Sequence, residues 1–362
     1  MTDGAHSRQE ILTQGAAWQG ALDAVQAQRE PLTRWLASIQ GRELFFTGCG
    51  STHYLSLFAA PFFQAVAGWR CRGVPASELA LQTESLVAPG AAPGVVAVSR
   101  SGETSETVLA VEKLAAGGAR ALAISCYDDK PLSAAVERTI AIPQGREESF
   151  AQTRSFAGML VAAQALAALA ADDAALWDEL GQLPALAEPL IARADPLARA
   201  IGQDETIKRI TYLGAGPLYG LANEATVKMK EMSLSLAEAY HCMEFRHGPM
   251  SLVDGEHLVV ALLSQAMRPY EAAVLRDLRA RGARILAIGN DLSGMEGLAE
   301  AVFDLETTLP ERAQPVLYLP LLQLMAYHRA LGRGLNPDRP RNVVAAIVLS
   351  GVEMMTDEQA GV

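Results

Sequence analysis

The sequence predicts an α/β protein made of two similar domains, each a parallel sheet with helices on both faces. Its 362 residues suit two domains of about 150 residues each. Short apolar segments alternate with helix-length segments in both halves of the chain, which is typical of a parallel sheet covered by helices. The best internal match between the halves is a strand followed by a glycine turn, FTGCGST at 46–52 and YLGAGPL at 212–218. We therefore expect a duplicated architecture.

The first half begins with a helical segment over residues 8–40 and then alternates strands with helices. Short apolar runs predict the strands, and longer periodic or alanine-rich stretches predict the helices. The predicted strands are 43–48, 94–99, 121–126 and 139–143. The predicted helices are 53–67, 104–116 and 156–171.

The alternation restarts after a polar, proline-containing stretch at 172–205. The predicted strands of the second half are 207–214, 257–264, 284–290 and 302–305, and the predicted helices are 218–234, 268–281 and 315–332. We expect four regions along the chain. They are an N-terminal helical segment at 1–40, a first domain at 41–175, a second domain at 205–335 and a C-terminal tail at 336–362.

Composition argues against several classes of function. The net charge of −11 disfavours a general nucleic-acid binder, because phosphate contacts need clustered cations. No signal peptide is visible at the N-terminus, and the longest weakly polar stretch, 156–170, is shorter than the roughly 20 residues that span a bilayer. We expect a cytoplasmic protein with reduced cysteines, and with no nucleic-acid or membrane partner. Neither the cysteine nor the histidine spacing indicates a metal site.

Two polar turns follow predicted strands of the first half. Gly50, Ser51 and Thr52 lie in a glycine turn that lets a ligand approach the backbone, although a tight turn alone needs the same residues. The second turn, SRSGETSET at 99–107, gathers five hydroxyl side chains and an arginine at a strand end that opens a helix. Helix capping would use one or two of these side chains, so the whole cluster favours a phosphate monoester site.

The predicted helix 218–234 carries three charged residues on one face. Glu224, Lys228 and Glu231 are spaced i, i+4 and i+7. Such a stripe is usually solvated and stabilised by its own ion pairs. Here the helix follows the glycine turn of a strand, which is a position that faces ligands in sheets of this type.

Two further segments carry residues suited to proton transfer or binding. The stretch GREESFAQTRSF at 145–156 contains Glu148 and Gln152, and on spacing alone it is an ordinary polar loop. His247 lies directly before a Gly-Pro pair, where a loop histidine could donate or accept a proton. A structural histidine is the alternative.

Together these segments resemble the double SIS-domain (sugar isomerase) phosphosugar enzymes along nearly the whole chain. The motifs that carry the resemblance are FTGCGST, VSRSGETSET, EESFAQTRSF, LANEATVKMKEMSLSLAEAYHCMEFRHGP and LGRGLNPDRPRNV. The family includes the isomerase half of glutamine–fructose-6-phosphate aminotransferase and the glucosamine-6-phosphate deaminases of the same fold. The resemblance implies two flavodoxin-like SIS domains and a homodimer with shared active sites.

The resemblance also implies a role for each matched residue. Glu231 would be the base that moves a proton between C1 and C2, and His247, from the neighbouring subunit, would open the sugar ring. The implied phosphate ligands are Thr52, Ser99, Arg100, Ser101 and Thr104. The implied substrate-lining residues are Gly50, Ser51, Gln152, Glu224 and Lys228. A carboxylate and a histidine suffice for this chemistry, so no metal or other cofactor is expected.

The activity implied is the deaminating isomerisation of glucosamine 6-phosphate to fructose 6-phosphate and ammonia. Two positions depart from the family pattern. Arg100 stands where the aminotransferase typically has glutamine, and the segment 342–346 lacks the family's C-terminal lysine, the last lysine of the chain being Lys230. Because the first α/β domain begins near residue 43, glutamine-dependent synthesis by a glutaminase domain is not expected of this chain.

Two alternatives remain open at this point. The missing lysine favours a simple aldose–ketose phosphosugar isomerase that releases no ammonia. SIS domains also serve as sugar-phosphate sensors without turnover, joined to a DNA-binding helix-turn-helix. The first 40 residues are short and not basic, which disfavours a DNA-binding regulator but leaves a catalytically silent sensor possible.

Overall fold

The computed structural model describes residues 3–344 and 346–349, which form two five-stranded parallel sheets. The first sheet has the strand order β2-β1-β3-β4-β5, and the second has the order β7-β6-β8-β9-β10. Both are the flavodoxin-like order 2-1-3-4-5, in which the direction of winding reverses between the first and third strands. The duplicated α/β architecture predicted from the sequence is confirmed.

The N-terminal segment and the first sheet supply nine helices and five strands. The three helices that precede the sheet are α1 (Ala5–Leu12), α2 (Gln14–Ala27) and α3 (Arg29–Ile39). The strands are β1 (Leu44–Gly48), β2 (Cys71–Pro75), β3 (Gly94–Ser99), β4 (Arg120–Ser125) and β5 (Arg138–Ala141). The other helices are α4 (Ser51–Ala67), α5 (Ala76–Leu81), α6 (Thr83–Leu86), α7 (Ser105–Ala116), α8 (Pro131–Ala135) and α9 (Arg154–Ala170).

The rest of the described chain repeats the pattern after two connecting helices, α10 (Ala174–Leu180) and α11 (Leu183–Gly202). The strands are β6 (Arg209–Gly214), β7 (Leu236–His241), β8 (His257–Leu262), β9 (Arg284–Gly289) and β10 (Ala301–Asp304). The remaining α-helices are α12 (Leu218–Ser233), α13 (Arg268–Ala280) and α14 (Leu319–Gly332).

All eight predicted strands are present, with bounds within two residues or so of those expected, and two strands were not predicted. These are β2 and β7, which lie at an edge of their sheets and pair with the first strand of each, β1 and β6. Both are partly exposed, so neither carries the continuous apolar run that marked the buried strands. The helical segment predicted at 8–40 is helical but divided into three helices.

The proline-containing stretch between the domains is largely helical. α11 contains Pro189 and Pro196 and packs against α14 of the second half and α2 of the N-terminal segment. Its buried face carries apolar side chains such as Leu190 and Ile191, which belong to one core shared by both domains. The two sheets are therefore joined by packed helices.

A helical layer between the sheets forms this shared core. It includes α4, α9, α12 and α14, whose buried side chains belong to a single cluster, while each sheet has a smaller core on its other face. Within the described residues, no helix is both long enough and apolar enough to cross a membrane.

Candidate active site

Two helices from different domains meet at the centre of the molecule. α4 follows the first strand of one sheet, α12 follows the first strand of the other, and the two pack against each other. A Cβ atom on Gly220 would lie 2.5 Å from the amide nitrogen of Phe58 and 2.7 Å from the carbonyl oxygen of Tyr54. Only glycine fits this close approach, which brings the start of α4 beside the charged face of α12.

The charged face of α12 forms a three-residue cluster. The Lys228 ammonium nitrogen lies 2.6 Å from Oε2 of Glu231 and 3.6 Å from Oε1 of Glu224. The side chains of Lys228 and Glu224 are only 2% and 3% exposed, whereas that of Glu231 is 27% exposed. Glu231 is therefore the carboxylate of the cluster that a ligand can reach.

The buried members of the cluster have perturbed acidities. Burial raises the pKa of Glu224 to about 8, although the Lys228 ammonium and the Ser51 hydroxyl act in the opposite direction. Burial would lower the pKa of Lys228, but the neighbouring Glu231 and Glu224 raise it on balance. A charged Lys228–Glu231 pair beside a largely protonated Glu224 leaves the cluster without net charge, which suits a buried site.

The glycine turn at 48–52 lies at the first-domain side of this cluster. Gly50 has φ of +56°, and a Cβ there would meet no atom within 4 Å, so the turn faces open space. The Thr52 hydroxyl donates to the carbonyl oxygen of Cys49 at 2.9 Å and accepts from its amide at 3.0 Å. Ser51 and Thr52, both buried, begin α4 and fix the shape of the turn.

The hydroxyl-rich loop follows the neighbouring strand, β3. Ser99 Oγ accepts from the amide of Gly102 at 3.1 Å, and Ser101 Oγ accepts from the amide of Glu103 at 3.2 Å. Thr104 is the N-cap residue of α7 but makes no side-chain capping bond. Since β1 and β3 are adjacent, this loop and the glycine turn share the point where the winding of the sheet reverses, the usual ligand position in this topology.

Arg100 lies in the same loop, with its guanidinium directed to a third segment. Its Nη1 donates to the carbonyl oxygens of Phe150 at 2.8 Å and Ser149 at 3.3 Å, and lies 3.4 Å from Oε2 of Glu147. Its charge is also felt by Lys228, whose pKa it lowers in part. The segment 145–156, which sequence spacing alone predicts to be an ordinary polar loop, thus contacts Arg100, which the family resemblance implies as a phosphate ligand.

The segment 145–156 contributes Glu147 more than Glu148. Glu148 is exposed, whereas the Glu147 side chain is fully buried. Glu147 Oε1 accepts from the amide of Thr153 at 2.7 Å and from its hydroxyl at 2.9 Å, just before α9 begins. The Oε1 atom of Gln152 is buried with no hydrogen-bond partner among the described residues, so a bound hydroxyl could satisfy it.

Among the described residues, His247 makes no hydrogen bond or ion pair with the cluster. It is exposed and follows a short 3₁₀ turn, Glu244–Arg246. The backbone amide of His247 donates to the carbonyl oxygen of Glu244 at 2.9 Å. No hydrogen bond or ion pair joins it to Glu231, both residues being within the described chain. The bonds of the cluster therefore join the two carboxylates and the lysine and do not include the histidine.

Sequence reasoning missed Tyr54, which lies near the cluster. Burial raises the pKa of its hydroxyl, and the charges of Glu224 and Glu231 raise it further. Tyr54 is one helical turn beyond Ser51 on α4. That spacing from a turn residue was a signal that could have identified it.

The C-terminal segment crosses the start of α7. The amide of Ser105 donates to the carbonyl of Ile347 at 3.2 Å, and the amide of Leu349 donates to Ser105 Oγ at 3.0 Å. The segment therefore reaches the hydroxyl-rich loop from the far end of the chain. Ala345, in the stretch without the family's lysine, lies outside the described residues.

These groups can transfer protons and bind an anion. Glu231 is an accessible carboxylate 2.6 Å from the Lys228 ammonium, and the hydroxyl-rich loop and glycine turn supply hydroxyl groups on the first-domain side. Among residues 3–344 and 346–349, no group of three or more His, Cys, Asp or Glu side chains is arranged to hold a metal ion.

Known proteins share both the sequence and the fold. A glutamine–fructose-6-phosphate aminotransferase of Brucella abortus is 28% identical over 322 residues, covering 84% of this chain and 52% of the relative. The chain thus spans about half the length of the curated relatives it matches.

Two solved structures illustrate the shared fold. The tagatose-6-phosphate ketose/aldose isomerase of Escherichia coli superposes with a TM-score of 0.83 at 25% identity, over 96% of this chain and 97% of that one. The glucosamine-6-phosphate deaminase of Thermotoga maritima superposes with a TM-score of 0.71 at 24% identity, over 91% of this chain and all of that one. The family model described as SIS domain matches residues 39–169 and 206–332, more than half of the sequence. The chain belongs to the SIS domain family.

Proposed function

We propose that the chain is a phosphosugar isomerase in which Glu231 moves a proton between C1 and C2 of the open-chain sugar. The observation that carries this proposal is the geometry of Glu231. Glu231 is the exposed member of an otherwise buried cluster, and its Oε2 atom lies 2.6 Å from the Lys228 ammonium nitrogen. It lies on α12, which packs against α4, the helix that follows the glycine turn. A carboxylate placed in this way performs enediol chemistry without a cofactor.

The sugar phosphate binds, in this proposal, at the loop after β3 and the turn after β1. The phosphate ligands are Thr52, Ser99, Arg100, Ser101 and Thr104. Three of the four hydroxyl residues, Thr52, Ser99 and Ser101, shape their turns through bonds to the backbone, and the start of α7 adds the partial positive charge of a helix N-terminus. Gly50, Ser51, Gln152, Glu224 and Lys228 line the sugar.

The reaction we favour is deaminating isomerisation, in which glucosamine 6-phosphate and water give fructose 6-phosphate and ammonia. Proton transfer from C2 to C1 gives an enolamine and then an imine at C2, and water displaces the nitrogen as ammonia. The similarity to an aminotransferase that acts on fructose 6-phosphate supports an amino-sugar substrate.

The test is a coupled assay for fructose 6-phosphate and ammonia from a panel of sugar phosphates. We expect turnover by the wild type and a loss of roughly 10²–10⁴-fold in Glu231→Gln, because the base is removed while its shape is kept. Glu256→Gln is the matched control, since Glu256 is exposed at the opposite end of the second sheet, before β8. Equal turnover by wild type and Glu231→Gln would exclude Glu231 as the base.

The second candidate is simple ketose–aldose isomerisation without release of ammonia. The sequence observation that favours it is the absence of a lysine after Lys230, since the C-terminal amine that the family pattern places near the reactive end of the sugar is then missing. The similarity to a tagatose-6-phosphate ketose/aldose isomerase supports it as well. In the same panel, isomerised product from a neutral sugar phosphate with no ammonia from any amino sugar would decide for this candidate. Tight calorimetric binding without any turnover would decide for a sensor.

His247 completes the site, in this proposal, from a second copy of the chain and opens the sugar ring. Its exposure, and the lack of any hydrogen bond or ion pair between it and the cluster among the described residues, support a homodimer with shared sites. Mixing the inactive variants Glu231→Gln and His247→Ala tests this, because a mixed dimer contains one intact site. We expect mixing to restore roughly a quarter of the wild-type activity, and no recovery would exclude the shared site.

A further inference from the structure

The loop 147–150 is held by a carboxylate from the N-terminal helix α1. Oε1 of Glu10 accepts from the amides of Glu148 at 2.6 Å and Ser149 at 3.1 Å, and its Oε2 accepts from the Ser149 hydroxyl. Glu10 is 2% exposed and more than 130 residues away in sequence. A buried carboxylate with three donors from one short loop fixes the conformation of that loop.

The same loop fixes the guanidinium of Arg100. The carbonyl oxygens of Ser149 and Phe150 both accept from Nη1, and Glu147, at the start of the loop, pairs with the same nitrogen. Glu10 binds the loop through its amides, and Arg100 binds it through its carbonyls. The two side chains therefore act on opposite sides of one backbone segment.

We infer that Glu10 is a positioning residue for Arg100, setting the place of its guanidinium beside the candidate phosphate loop through the backbone of residues 148–150. The inference rests on the proposed function, which puts Arg100 at the phosphate. Glu10 itself lies on α1, outside the matched family regions 39–169 and 206–332, and none of its bonds reaches the ligand site directly.

The charged form of Glu10 suits this role. Burial and the nearby Glu147 raise the pKa of Glu10, while its bonds to Ser149 and Glu148 favour the carboxylate. An amide in its place keeps one oxygen for the two loop amides but carries no charge, and its NH₂ group makes the Ser149 hydroxyl accept where it had donated, so all three bonds lose their charge assistance. The loop should then relax, and Arg100 should lose its fixed carbonyl partners.

The test is a double-mutant cycle between Glu10→Gln and Arg100→Gln, read as KM and kcat for the sugar phosphate. We expect Glu10→Gln alone to raise KM roughly tenfold with kcat changed less than about threefold. In the Arg100→Gln background we expect Glu10→Gln to change KM less than about twofold, because the guanidinium through which it acts is gone. An equal rise in KM in both backgrounds would mean that Glu10 acts only on general stability, and would overturn the inference.

A crystal structure of Glu10→Gln separates this inference from the proposed function. We expect the distance between Arg100 Nη1 and the Phe150 carbonyl oxygen, 2.8 Å in the wild type, to lengthen beyond hydrogen bonding. An unchanged distance would overturn the positioning role even in an active enzyme. If the wild type neither binds nor converts any sugar phosphate, the proposed function fails, and the effect on Arg100 is still measured by this distance.

Ser7→Ala and Ser149→Ala complete the design. Ser7 lies three residues before Glu10 on α1, and its hydroxyl donates to the side-chain Oδ1 of Asp338 at 2.8 Å. Asp338 meets the loop through its backbone carbonyl, which accepts from the Phe150 amide at 3.0 Å, so Ser7→Ala weakens the docking of α1 but removes no bond to the loop itself. We expect Ser7→Ala to leave KM within about twofold of wild type. Ser149→Ala removes the hydroxyl's bonds to Glu10 and to the Ala151 carbonyl, 3.1 Å away, but keeps both loop amides bonded to Glu10. We expect a smaller rise in KM that also disappears with Arg100→Gln. A rise in KM for Ser7→Ala equal to that for Glu10→Gln would contradict the inference.

Discussion

The helices that follow the first strand of each sheet, α4 and α12, occupy the same place in the repeat but carry opposite chemistry. Both strands end in glycine, Gly48 and Gly214. Glu224 of α12 and Phe58 of α4 each lie ten residues after their glycine, and Lys228 and Phe62 each lie fourteen residues after it, so the two pairs occupy corresponding positions. The two phenylalanines are buried and stacked, with ring centroids 5.3 Å apart. One helix supplies core packing, and the other supplies the charged cluster.

In the loops that follow β3 and β8, the third strand of each sheet, it is the first domain and not the second that carries the candidate site residues. In the first domain the loop carries Ser99, Ser101 and Thr104 and faces the candidate ligand site. In the second domain Glu271 accepts from the amide and hydroxyl of Ser264 at 3.0 and 3.1 Å, and Glu311 accepts from the amide of Gln265 at 2.7 Å. Carboxylates of the chain itself therefore satisfy the donors that would face an anion in the second domain.

The difference shows how a duplicated fold divides the candidate site between its two halves. The first domain has the hydroxyl-rich loop and an apolar helix, and the second has a charged helix and a loop whose donors bond to carboxylates of the chain itself. A cavity of about 650 Å³ remains beside the second loop, but its lining, which includes Phe62, Leu218 and Met267, is mostly apolar. The strand order sets where a site can form, and the loop and helix residues decide which chemistry it has.

Of the changes that test this difference between the two helices, removal of Lys228 from α12 should have the largest effect, which is on stability. Lys228→Met leaves Glu224 and Glu231 without their cation, and we expect a loss of about 3–5 kcal/mol in the free energy of unfolding. The matched control is Lys230→Met, the same change two residues along the same helix at an exposed position, with a loss under about 0.5 kcal/mol. Urea unfolding followed by circular dichroism measures both. Equal losses would mean that the cluster does not depend on Lys228.

A carboxylate placed in the first loop should make it resemble the second. Ser101→Asp puts a negative charge near the proposed phosphate position, and a repulsion of about 3 kcal/mol at roughly 6 Å corresponds to roughly 100-fold weaker binding of fructose 6-phosphate. Ser101→Ala is the control, with a loss of roughly fivefold for one hydroxyl. Calorimetry measures both variants. If Asp and Ala weaken binding equally, phosphate does not bind beside Ser101.

The protonation of Glu224 distinguishes the buried carboxylate of α12 from the accessible one. Its pKa is raised to about 8 by burial, so it ionises as the pH rises through that value and then competes with Glu231 for Lys228. We expect the wild-type kcat/KM to fall above that pH, and the kcat/KM of Glu224→Gln to show no such fall. One pH unit above the pKa of Glu224, the variant should keep up to roughly tenfold more of its optimal kcat/KM than the wild type keeps of its own. A pH–rate profile with the same alkaline limb in both proteins would assign the limb to another group.

The sequence predicted the elements whose signals are local. Continuous apolar runs identified the buried strands, whereas the partly exposed edge strands β2 and β7 carry no such run. The spacing of Glu224, Lys228 and Glu231 placed them on one helical face, and the structure shows Lys228 beside both carboxylates.

The contacts that the sequence could not predict join distant segments. Glu10 and the loop at 148–149 are more than 130 residues apart, and Arg100 and Phe150 are separated by 50 residues. The local sequence around either residue does not indicate which distant residue it bonds to, because a buried carboxylate and an exposed carboxylate on a helix can have the same sequence pattern around them. For the same reason, Glu148 was singled out from the sequence, although Glu147 is the buried residue of that pair.

The smallest effect concerns Glu271, the internal carboxylate of the second loop. Burial raises its pKa from 4.5 to about 7, so the folded chain retains a proton that the unfolded chain releases between those values. This residue therefore makes stability fall as the pH rises through that window, since the folded state binds more protons than the unfolded state. Glu271→Gln removes the titration, and we expect the change in Tm between about pH 5 and about pH 7.5 to be smaller than in the wild type by a few degrees. Glu256→Gln, at an exposed position, should keep the wild-type slope. A slope for Glu271→Gln that equals the wild-type slope would show that Glu271 titrates normally, and hence that the second loop is filled by an ordinary ionised carboxylate throughout this range.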